Sequence, residues 1–357
     1  MKHATLTSYV KQLQTWLEWD VTQGDDGPAK QLFVEALTDI AALPLDSMSM
    51  EIRRLLVVSG TAVVRPQTSA SREESNGAAN NARKVHLDRV VAALNARDVL
   101  LKCKAANAVG SLSISRVAGQ QLLDSYGDAI VQSVAKMATR KNQWVQGDAF
   151  FVLGWMVVIA DEAMLTTIAA LLPTVVKCLH RNVKLPSNVK RGADGEDAME
   201  GRVAQQARAT APLSEKESNL RVYALVLLLN FSQRRVEVFE AQLERLLPML
   251  KDLVMELLEP TPPRGTTNES STTSSTSVVS TLEYAEVLRL VITLLSVLVD
   301  QLGSAACQLL ELRILPHLLK LKRVLDAAAL RELLGERESQ DVEERLEAVV
   351  ETLVHCR

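Results

Sequence analysis

Aromatic residues make up only 4% of this 357-residue chain, and neither charge is in large excess. The formal net charge is −3, from 40 Lys and Arg against 43 Asp and Glu. A nucleic-acid binder needs a concentrated basic stripe, and a single-strand binder also needs aromatic platforms. The sequence supplies neither, so no nucleic-acid partner is expected. Four cysteines, Cys103, Cys178, Cys307 and Cys356, lie scattered with no C-x-x-C pair. A chain of this length buries enough core to stand without a disulfide framework. Long apolar runs are missing as well: "AFFVLGWMVVIA" (149–160) ends at Asp161, and "VITLLSVLV" (291–299) is shorter. Both fall below the ~18 residues of a membrane span and read as buried helices. The opening "MKHATLTSYVKQLQ" has no apolar stretch of the secretory type, so a cytoplasmic, reducing setting is expected.

Reaction chemistry is equally thin. Glycine-rich phosphate cradles, H-E-x-x-H and G-x-S-x-G are all absent from the sequence. Cys178 with His180, and His355 with Cys356, are the pairs that a Cys₂His₂ metal site would draw on. A C-x-H spacing aims its two side chains at different helix faces, and the pairs are far apart in the chain. Ordinary helix-end and chain-end residues are the expected reading. His317 follows Pro316 in a first helical turn and shows no partner for general-base work. Asn230 and Asn268 stand in N-x-S patterns, which have no consequence without secretion. The expectation is a protein that is not an enzyme and holds no cofactor or metal.

What the chain does have is leucine, alanine and repetition. Proline recurs in one setting: "ALLPTVVKCL" around Pro173, "RLLPMLKDLV" around Pro248 and "RILPHLLKLK" around Pro316. Proline lacks an N–H and suits the first turn of a helix, so each of the three is expected to open one. Upstream, "KAANAVGSLS" (104–113), "DAFFVLGWMV" (148–157) and "YALVLLLNFS" (223–232) each pair an alanine with a bulky apolar residue four positions on. The pairs are Ala105/Val109, Ala149/Leu153 and Ala224/Leu228. That spacing puts both members on one helix face, where the small residue admits a neighbouring helix. Ala149 and Pro173 are 24 residues apart, as are Ala224 and Pro248. The same step from Ala105 reaches Ala129, where a further helix is expected to begin.

A unit of roughly 40 residues built from two or three helices is the period of armadillo and HEAT arrays. "VQGDAFFVLGWMVVIAD" and "NLRVYALVLLLNFS" resemble the third helix of an armadillo repeat, and "LLPTVVKCL" and "LLPMLKDL" resemble the helix that follows it. The resemblance covers about 98–325. It implies an all-α fold: a right-handed α-solenoid of armadillo-like repeats with flanking capping helices. The expected layout is capping helices over 1–64, a polar linker over 65–84, repeats over 85–325 and closing helices over 326–357. Disordered insertions are expected at 181–218 and 259–281, because "TTNESSTTSSTSVVST" (266–281) and its like cannot build a packed core. Such loops read as tolerated insertions first and as phosphorylation-controlled docking segments second.

Armadillo proteins bind along a groove lined by their third helices. The matching positions here are Asn107 and Ser111, Phe151 and Trp155, and Val226 and Asn230. Import adaptors of the importin-alpha type place a Trp and then an Asn at such positions, and none of the three pairs does so. Binding of nuclear-localisation signals is therefore not implied. The resemblance implies an adaptor or scaffold that binds a protein or an extended peptide. A second likeness is carried by "LQTWLEWDVTQGDD" (13–26), which looks like the first helix of compact armadillo proteins that clasp Hsp70 and speed its nucleotide exchange. It implies a chaperone cofactor as the alternative, and a constitutive subunit of a cytoskeletal or ciliary assembly is a further one.

Overall fold

The computed structural model describes residues 3–23, 27–60, 85–179, 214–258, 275–324 and 327–356. The 65–84 linker, His180, Asn268 and most of both expected insertions lie outside the described residues. Within them every regular element is a helix and there is no strand. The chain divides into two compact units, 1–172 and 173–357.

The first unit holds α1 (His3–Trp16), α2 (Pro28–Ala41), α3 (Ser47–Gly60), α4 (Val85–Ala93), α5 (Val99–Ile114), α6 (Arg116–Ala138), α7 (Gln143–Ile159) and α8 (Glu162–Ala169). Four consecutive helices begin on residues whose side chains accept from the unpaired first-turn N–H groups. Asp98 accepts from Leu100 and Leu101, Ser115 from Ala118, Asn142 from Trp144 and Val145, and Asp161 from Met164. Between these caps the apolar faces stack in two rows. Helices α2, α5 and α7 pack one on the next, and α3, α6 and α8 do the same. One row cannot bury its face alone, and the stack supplies the continuous core of a repeat array.

The second unit holds α9 (Leu172–Lys177), α10 (Ser214–Arg235), a 3₁₀ segment (Val236–Gln242), α11 (Leu243–Leu258), α12 (Ser275–Gln301), α13 (Gly303–Glu311), α14 (Leu315–Val324), α15 (Ala327–Leu334) and α16 (Glu336–His355). Here α10, α12 and α16 form the row, with α11 against α14 beside it. The last helix therefore acts as a further rung against α12. Leu302 to Gly335 contains two corners. Arg313 adopts a left-handed backbone (φ 57°) between α13 and α14. Gly335 does so (φ 83°) after α15, and its N–H closes on the Arg331 carbonyl at 2.9 Å. Glycine is the usual residue at such a helix end because it has no Cβ to clash.

The alanine register is carried through to the core. Ala105, Val109, Ala149, Leu153, Ala224 and Leu228 all have 0% exposure. Three expectations need correction. Helix α6 runs unbroken through Ala129, so no helix begins there. Pro173 and Pro316 do stand second in their helices, but Pro248 lies inside α11, which starts five residues earlier. Helices α10 and α12 begin at Ser214 and Ser275, inside the stretches expected as insertions. Helix growth is cooperative, and a strongly buried apolar segment extends helix into polar flanks of adequate propensity.

Among the described residues no single helix is long and apolar enough to cross a membrane. One bent pair, Tyr284–Gln301 with Gly303–Glu311, meets the test by length and composition alone, across a 119° bend. Its apolar residues from Val287 to Leu295, and Ala305, Ala306 and Leu309, are core.

Candidate functional site

Helix α7 is apolar on almost every side, and most of it is buried. One stripe is left half-open: Trp144, Asp148, Phe151 and Trp155, continuing to Ile159. The steps of four, three, four and four follow one face of an α-helix. Phe151 lies against α5, where a Cβ added to Gly110 would overlap its ring. Glycine at that crossing allows the aromatic ring to approach the α5 backbone closely.

The same pattern recurs on the neighbouring rung α5, with Lys104 and Asn107 half-open. Asn107 uses its amide within the helix, donating to the Cys103 carbonyl at 3.0 Å. Ser111, expected in the groove, is 1% exposed. Its hydroxyl donates to the Ile40 carbonyl at 2.7 Å and accepts from Arg53 Nη2 at 3.2 Å. Arg53 itself is 0% exposed and donates to three carbonyls: Ser111 from Nε at 2.8 Å, Pro44 from Nη1 at 3.0 Å and Leu43 from Nη2 at 2.8 Å. Ser111 is thus a tie between α5, the end of α2 and α3, and it offers nothing to a ligand in this structure.

In the second unit, α10 leaves Tyr223, Val226 and Asn230 half-open while Ala224, Leu225, Leu227, Leu228 and Phe231 are buried. Five of the six expected residues therefore stand on half-open stripes, three in the first unit and two in the second. Lys104, Asp148 and Tyr223 complete those stripes and were not anticipated. Each lies three residues before an expected pair, so the helical spacing contained the signal. Trp144 lies one turn further back on α7.

A cleft of about 450 Å³ opens in the first unit between α6 and the α7–α8 corner, at the Ile159 end of the stripe. Leu123, Asp124, Tyr126, Asp161 and Met164 line it, and none of the six expected residues does. Tyr126 donates to Asp88 at 2.5 Å, and burial, reinforced by that carboxylate, pushes its phenol well above the ordinary tyrosine range. A phenol held neutral in this way is a hydrogen-bond donor and no base.

Among the described residues no three His, Cys, Asp or Glu side chains are grouped to hold a metal ion. His355 directs Nδ1 at the Glu351 carbonyl (2.8 Å) and His317 directs Nδ1 at the Arg313 carbonyl (3.2 Å), each within its own helical turn.

Neither protein-family profiles nor curated proteins match the sequence. Solved structures do match its fold. An engineered protein is 15% identical with a TM-score of 0.51, covering 98% of this chain and 100% of its own. A designed armadillo repeat protein is 14% identical with a TM-score of 0.51, covering 98% and 99%. At these identities the likeness concerns architecture, and it agrees with the stacked rows, the buried alanine register and the half-open stripes: the chain has an all-α, armadillo-like repeat fold.

Proposed function

We propose that this protein is a non-catalytic scaffold that holds a protein segment or extended peptide against the half-open stripes of its rung helices. Its proposed setting is the cytoplasm. The observation that carries this reading is the α7 stripe, where Trp144, Phe151 and Trp155 stay half-open on a helix that is mostly buried. Large aromatics that keep an accessible face beside a rigid backbone are the usual anchors of protein interfaces. They bring contact area at little entropic cost, and Asp148 between them adds a polar group that fixes orientation.

The test is a displayed library of extended peptides screened against the purified chain. Enriched peptides should lose about tenfold or more in affinity with Trp155→Ala, while the far-UV circular-dichroism melt of the variant stays that of the parent. Enrichment of no peptide, or peptide binding indifferent to Trp155, would count against the scaffold. The chaperone-cofactor alternative rests on 13–26. There Leu13 and Leu17 are buried and the Trp19 ring meets Phe33 at 5.5 Å, so these residues work in packing. Acceleration of nucleotide release from purified Hsp70 would support it.

A further inference from the structure

The fold brings together two cysteines that are far apart in the sequence. Cys307 lies on α13 and Cys356 closes α16, and these two helices pack against each other. Both are free thiols on exposed residues. Cys307 is the neighbouring side chain that acts on the Cys356 thiol at this seam. The remaining cysteines sit differently: Cys103 is buried in α5, and Cys178 is half-buried, with burial pushing its thiol up.

We propose that Cys307 and Cys356 form a redox-sensitive dithiol that a low-molecular-weight disulfide converts into an intramolecular disulfide, tying the end of α16 to α13. Exchange requires an accessible thiol and a second thiol within reach, and the packed helices α13 and α16 supply both. The hydrogen bond to Cys307, with some desolvation, raises Cys356 above the ordinary thiol range. Either sulfur can attack first, and the product is the same. When Cys307 leads, it releases its proton to solvent, and its thiolate attacks one sulfur of the small disulfide R–S–S–R. A Cys307–S–S–R bond forms, the R–S–S–R bond breaks, and the first R–S⁻ leaves and takes up a proton. Cys356 then releases its proton and attacks the Cys307 sulfur. The Cys307–Cys356 bond forms, and the second R–S⁻ leaves and is protonated. The protein loses two hydrogens and the small disulfide is reduced to two thiols. This inference is independent of the scaffold reading.

The experiment treats the purified full-length chain with glutathione disulfide, alkylates the remaining thiols and maps peptides under non-reducing conditions. One cross-linked peptide pair joining Cys307 to Cys356 is expected, with Cys103 and Cys178 recovered alkylated and the bond reversed by a dithiol reductant. With either Cys307→Ser or Cys356→Ser the cross-link disappears, and the cysteine that remains stops at its mixed disulfide. Both positions are exposed and serine is nearly isosteric, and a circular-dichroism melt confirms that the variants fold. Stable mixed disulfides on both residues of the parent chain would overturn the proposal. So would predominantly intermolecular dimers, or no oxidation of either residue.

Discussion

Arg53 is held in the core by backbone carbonyls. Leu43, Pro44 and Ser111 each accept from it, and Asp46 lies near enough to favour its charged form while burial opposes it. The planar guanidinium reaches three separate carbonyls in fixed directions, which an ammonium on a flexible stem does not. Arg53→Ala should cost about 3 kcal/mol or more, because it leaves several buried acceptors unpaired and opens a void. Arg53→Lys should recover only part of that loss, and urea denaturation reads both. Sequence alone could not show this. Arg53 and Ser111 are 58 positions apart, and nothing local separates a buried arginine from a surface one. The same contact explains why Ser111 was misplaced in the groove, since helical spacing gives a face but not what covers it.

His86, 6% exposed on α4, donates Nε2–H to the Leu56 carbonyl at 3.2 Å. Burial holds its pKa below 6.5, against that hydrogen bond and the carboxylates of Glu18 and Asp88. The folded state therefore binds this proton less readily than the unfolded chain does. The stability from neutral His86 is present above about pH 6.5 and is lost as pH falls towards the lower folded value. Melting temperatures across pH 7 to 5 should fall for the parent chain, and more gently for His86→Gln, which keeps a donor but does not titrate.

At the scale of elements, the three prolines divide in a way that stability measurements can check. Pro173 and Pro316 occupy second helical positions, where the missing N–H had no partner in any case. Pro248 sits within α11 and deprives the Glu244 carbonyl of its intrahelical donor. Pro248→Ala should raise stability by about 1 kcal/mol or more, whereas Pro173→Ala and Pro316→Ala should be neutral or slightly destabilising. Thermal melts of the three variants would settle the contrast. The repeat was legible because buried alanines and corner prolines recur at one spacing, and packing enforces both. The run of α6 through Ala129 was not legible, because a long helix and two short ones share one apolar period. The 3₁₀ segment Val236–Gln242 escaped for a related reason. It supplies the corner that Pro248 was expected to supply, and its buried anchor Phe239 meets Phe231 at a ring distance of 6.0 Å.

Taken whole, the molecule comprises two units with separate clusters of contacts, and its tryptophans are unevenly shared between them. Trp16, Trp19, Trp144 and Trp155 all belong to the first unit, and the second has none. Selective excitation of indole therefore follows the first unit alone, while far-UV circular dichroism sums helix from both. Separate cores predict that urea transitions by the two signals will not coincide, and coincidence would mean one cooperative molecule. The stripe on α7 has a further consequence here. Trp155 is at once a proposed contact and a fluorophore in a half-open site, so an arriving partner should shift its emission to the blue as water leaves the indole. On the proposed reading the protein carries an optical reporter of its own occupancy, and titrations can be read without attaching a dye.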